Sequence, residues 1–111
     1  MKLSTIIEEL ELEIITGETG ISNIEAEGVY IGDLLSLVMA KAKHDEVWIT
    51  IQTHINVVAI ADLLELAAIL VAENMEVDED TIEKAADMDI VILKSGLPAY
   101  DLACRLHDLG M

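Results

Sequence analysis

The stretch Glu46–Asn74, EVWITIQTHINVVAIADLLELAAILVAEN, leaves few folds open. VWITIQ is short, apolar and β-branched, as a strand should be. The polar run QTHIN breaks it. Ile55–Leu66 then has helical spacing, and AILVA over Ala68–Ala72 is almost wholly apolar, as a strand covered on both faces must be. A strand, a crossover helix and a second strand of these lengths give parallel pairing and a right-handed connection.

The flanking segments extend the same unit. Downstream, Asp80–Asp87 reads as a short solvated helix opened by an Asp80/Glu83 capping box, with Ile82, Ala85 and Ala86 facing in. Ile90–Leu93 (IVIL) is a further strand, and Pro98–Leu109 a final helix closed by Gly110. Upstream, Leu3–Leu10 is a helix with Thr5 and Glu8 as its capping box. Leu12–Thr16 is a strand, Glu18–Asn23 a loop, and Ile24–Tyr30 a half-exposed strand with Gly28 as a bulge or kink. Asp33 is expected to cap a helix reaching Lys43, with Ile31, Leu34, Leu35, Val38 and Ala42 on its buried face. The expected fold is a small α/β layered domain: one domain over residues 1–111, with a mostly parallel sheet of four to five strands and helices on both faces.

Composition narrows the function. With 22 Asp and Glu against 6 Lys and Arg, the net charge of −16 repels phosphate backbones and anionic lipid. Nucleic acid and membrane partners are not expected. A single Cys, no signal-peptide pattern and no long uncharged apolar run lead to a cytoplasmic expectation. Hydrophobic residues make up 53% of the chain, more than one small core hides, so an oligomer is expected.

The helix over Ile55–Leu66 locates the excess. Val57, Ile60, Ala61 and Leu64 form one apolar face; Ile55, Ala59, Leu63 and Leu66 form another nearly opposite. A helix apolar on most of its circumference is buried on most of it. In the last helix Tyr100 and Cys104 align beside the core stripe, in a row that continues to His107. Ile55, Ala59, Leu63, Leu66, Tyr100 and Cys104 are therefore the candidate homodimer interface.

Ligands of open α/β sheets bind beyond the carboxyl ends of the strands. There the sequence offers Gln52, Thr53, His54 and Asn56 after one strand, and Lys94 and Ser95 after another. Placed at helix N-termini, these groups would suit an anion. The competing reading makes Thr53 and Ser95 plain caps. No Gly-Lys-Ser/Thr phosphate loop, GxGxxG or Gly-x-Ser-x-Gly is present, and Cys104 with His107 supplies two metal ligands at most. Neither a catalytic residue nor a metal site is predicted.

The run VWITIQTHINVVAIADLLELAAILVAEN, followed by VDEDTIEKAADMDIVILKS and an amphipathic helix, resembles the DRTGG domain; LEIITG and GVYIGDLLSLVMAKA fit its front half. The resemblance implies a small α/β regulatory or dimerising module without catalysis. Such modules sit beside CBS pairs in regulated pyrophosphatases and are similar in fold to the N-terminal domain of HPr kinase/phosphorylase. A stand-alone version would act on a protein partner encoded elsewhere. Where the signature falls, this chain has Thr53-His54-Ile55-Asn56-Val57, without the acid, the Arg or the two glycines, so no ligand that depends on them carries over. The resulting expectation is a non-catalytic homodimeric regulatory module with no cofactor. The alternative is an adenine-nucleotide or other anion-binding sensor at the sheet edge.

Overall fold

The computed structural model describes all residues, Met1–Met111. Five strands form one sheet: β1 (Glu13–Thr16), β2 (Gly28–Ile31), β3 (Glu46–Thr50), β4 (Ala68–Val71) and β5 (Ile92–Lys94). Their order is β1-β5-β4-β3-β2. β2 to β5 run parallel, and β1 is antiparallel at the edge beside β5. The helices are α1 (Leu3–Leu10), α2 (Leu35–Lys41), α3 (Asn56–Leu64), α4 (Glu79–Asp87) and α5 (Ala99–Asp108).

β2, β3, β4 and β5 are neighbours in the sheet in the order in which they occur in the chain. Right-handed crossovers between such neighbours put every connecting helix on the same face. Accordingly Val38 of α2, Val57 and Ala61 of α3 and Ala85 of α4 share one core cluster with Trp48, Ile69, Val71 and Ile92 of the sheet. The opposite sheet face, with Val47, Ile49, Leu70 and Leu93, is covered by Leu3 and Ile6 of α1 and Leu102 and Leu106 of α5. The central β4, AILV, is buried at every position because it has helices above and below.

Local details differ from expectation in ways that have physical causes. No α-helix has a side-chain N-cap. The residues at those positions are Lys2, Leu34, Ile55, Asp78 and Pro98. Thr5/Glu8 and Asp80/Glu83 are therefore not capping boxes, since each helix begins before the expected cap. Glu18–Asn23 forms a 3-10 turn. Gly28 is not a bulge, because β2 pairs with β3 in unbroken register. The irregularity lies in β1, between Ile14 and Thr16. There the Thr16 hydroxyl donates to Ile90 O at 2.7 Å and accepts from Ile92 N at 3.1 Å. Ile31 and Leu34 are exposed rather than on the buried face of α2, and on α4 the inward side is Thr81, Ala85 and the half-buried Ile82, while Ala86 is exposed.

Candidate functional site

The carboxyl edge of the parallel strands is built from their following loops, and it is held together by side chains reaching between neighbours. Thr50 ends β3 only 2% exposed. Its hydroxyl donates to Asp33 Oδ1 at 2.8 Å, and the same carboxylate oxygen accepts Ile51 N at 3.0 Å. Gln52 Nε2 donates to Asp33 O at 3.0 Å, and Trp48 Nε1 donates to Gly32 O at 2.8 Å. The loop after β2 is thus clamped onto the end of β3. Asp33, expected as a cap, is the clamp.

Thr53 and His54 are tied the other way. Thr53 O accepts the buried Thr81 hydroxyl at 2.8 Å, and His54 Nδ1 lies 2.7 Å from Asp78 Oδ2. The Asp78 carboxylate therefore bonds the preceding turn instead of capping its own helix. α3 begins at Asn56 with Ile55 in the cap position, so Thr53 and His54 precede the helix terminus and do not form it. α5 likewise starts at Ala99 after Pro98. Ser95 is not its cap: Ser95 Oγ accepts Leu97 N at 3.1 Å within the turn.

The chain after β4 turns to α4 on one sheet face, whereas the chain after β5 turns to α5 on the other. That divergence is a topological switch point, the place where open sheets form a ligand crevice. Here main-chain bonds lace it shut. Ser95 N donates to Val71 O at 2.9 Å, Asn74 N to Ser95 O at 2.8 Å and Glu73 N to Leu97 O at 3.0 Å. Glu73 and Asn74 both take positive φ (60° and 54°) to make these contacts. Lys94, at the end of β5, takes part in no ion pair.

The six polar candidates do not converge. Gln52 leans to the β2 side, Thr53 and His54 to α4, and Lys94 and Ser95 lie across β4, about 10 Å away at ordinary strand spacing. Asn56 is exposed and lines a separate cleft of about 380 Å³ between α2 and α3, with Leu35, Ser36, Met39, Ala59 and Ile60. A second hollow of about 290 Å³, at the opposite edge, is lined by Gly17, Thr19, Gly20, Ile24, Asp89 and Val91. No group of three or more His, Cys, Asp or Glu side chains is placed to hold a metal ion. No helix is long and apolar enough to cross a membrane.

The interface candidates also separate. On α3, Ile55, Ala59 and Leu63 are exposed, while Leu66, just beyond the helix, is half-buried against the α2–α4 core cluster. Tyr100 and Cys104 are exposed on α5, across the sheet from α3. A side-chain hydrogen bond with Cys104 holds the Tyr100 phenol above its ordinary pKa. Two groups on opposite faces of a layered domain cannot both enter one flat two-fold contact.

Fold and edge together make a compact α/β module in which Gln52, Thr53, His54 and Ser95 are bonded to its own loops, while Lys94 is in no ion pair. Comparison with solved structures places the fold: it is similar to the CBS and DRTGG domains of the regulatory region of Clostridium perfringens pyrophosphatase, a structure in complex with the activator diadenosine tetraphosphate. The TM-score is 0.76 at 12% identity, over 95% of this chain and 45% of that one. The chain thus spans less than half the length of its structural counterpart. No family model matches the chain, and no curated protein matches it.

Proposed function

We propose that the chain is a non-catalytic regulatory and assembly module that works as a homodimer. The observation that carries this reading is the fold likeness, over 95% of the chain, to the regulatory region of a pyrophosphatase. Two features agree with it. At the polar edge the hydroxyl that lies beside a carboxylate, Thr50 against Asp33, is only 2% exposed and bonded within the fold, out of a substrate's reach. Apolar side chains also stay exposed on α2 and α3. A dimer that folds as it associates is more stable at higher protein concentration. The thermal midpoint is expected to rise over a hundredfold concentration series, and a constant midpoint contradicts the homodimer.

A second reading, an adenine-nucleotide or other anion sensor at the same edge, has its own support. The pyrophosphatase region binds a dinucleotide, α2 to α5 begin at this edge without side-chain caps, and Lys94 is unpaired. Against it stand the carboxylates of Asp33, Glu73 and Asp78 along the edge and the laced loops between β4 and β5. Titration calorimetry with ATP, AMP and diadenosine tetraphosphate separates the two: saturable heat that disappears in Lys94→Ala supports the sensor, and silence with all three removes it.

A further inference from the structure

Large apolar side chains are exposed unevenly. Seven of the nine that are exposed lie between Ile31 and Leu63, in the second and third βα units; the other two are Met75 and Tyr100. Leu34 (65% exposed), Leu37, Met39, Ile55 and Leu63 (66%) put them on the outer side of α2, α3 and the loops leading into them. Between the two helices lies the cleft of about 380 Å³ that Met39 and Ala59 help to line. Soluble monomers seldom leave apolar surface gathered in this way.

Charge is distributed in the opposite sense. α2 and α3 together hold 16 residues with two charged side chains, Lys41 and Asp62. Neighbouring α4, on the same sheet face, has Glu79, Asp80, Glu83, Lys84 and Asp87 within nine residues. In a chain of net charge −16 the two helices carry one acid, Asp62, with Asp33 and Glu65 exposed just outside their ends.

That distribution selects the occupant. A basic partner would be met by many carboxylates, and the two helices offer one, Asp62, with Asp33 and Glu65 at their ends. A second copy brings its own −16, and like charges facing across a contact cost affinity. A surface poor in charge lets two such chains meet at the least electrostatic cost. We infer that the α2–α3 face, with its cleft, is the contact surface for a second copy of this chain, and that Tyr100 and Cys104 on α5 lie outside it. The inference rests on the homodimer reading and names its surface. A standard interface takes about 800 Å² from each partner, an eighth or so of the 6069 Å² this chain exposes.

The test is sedimentation velocity on the full chain and on two variants, each checked for folding by circular dichroism. Leu63→Glu places a carboxylate on the exposed ridge, and Tyr100→Glu places one on α5. The expected result is a dimeric parent, a dimeric Tyr100→Glu and a folded, monomeric Leu63→Glu. A dimeric parent that Leu63→Glu leaves intact and Tyr100→Glu dissociates overturns the surface and keeps the homodimer. A monomeric parent overturns both. If Leu63→Glu fails to fold, Ala59→Glu, at an exposed position of the same ridge, is read in its place.

Discussion

The Asp33 carboxylate and the Thr50 hydroxyl, 17 residues apart, meet at 2.8 Å at the end of β3, and the same oxygen also accepts the Ile51 amide. Thr50 is nearly inaccessible to water, whereas Asp33 and Ile51 are exposed. Leaving a buried hydroxyl and an amide without their acceptor costs about 1–3 kcal/mol. Asp33→Ala is therefore expected to lose stability on that scale in urea unfolding, and Asp33→Asn, which keeps an acceptor oxygen, to lose less.

Thr81 is fully buried and donates to Thr53 O at 2.8 Å, fastening α4 to the turn after β3. Thr81→Val keeps the shape and removes the donor. The expected cost is about 1–2 kcal/mol, read as a lower denaturation midpoint with an unchanged denaturant slope.

Gly17 has φ +84°, and a Cβ there would stand 2.8 Å from Val91 Cγ2 and 2.9 Å from Val91 Cα. Both the backbone and the space require glycine. Gly17→Ala is expected to destabilise by at least about 2 kcal/mol. Gly96 has nothing within 4 Å of the same added atom, so Gly96→Ala serves as a near-neutral control.

Glu65 closes α3 in the left-handed region at φ 53°, where glycine is unstrained and other residues pay about 1 kcal/mol. Glu65→Gly is expected to raise stability by up to that amount in the same unfolding assay. No gain would mean that the Glu65 side chain makes a compensating contact.

The sheet was legible because its evidence is local. VWIT and AILV are apolar and β-branched wherever they are placed, and the segments between them are too short for anything but crossover helices. The exposed ridge Ile55, Ala59, Leu63 also followed from spacing alone. What failed was whatever depends on distant neighbours. Asp33 has a good cap's chemistry, but Thr50 and Ile51, brought alongside by the parallel pairing of β2 and β3, claim its carboxylate. Asp78 occupies the cap position of α4, yet its carboxylate turns to His54. Placing α3 and α5 on opposite faces is a consequence of strand order, which no helical periodicity records. The sealed switch point needed two consecutive left-handed residues, Glu73 and Asn74, where no glycine marks the turn.

In the proposed function this chain acts by contact between copies, through a surface that carries few charges. Its mass in solution tests that most directly. Light scattering on the eluting full chain at micromolar concentration is predicted to give twice the 12.1 kDa of the single chain. A mass of 12.1 kDa that persists as the concentration is raised would contradict the account.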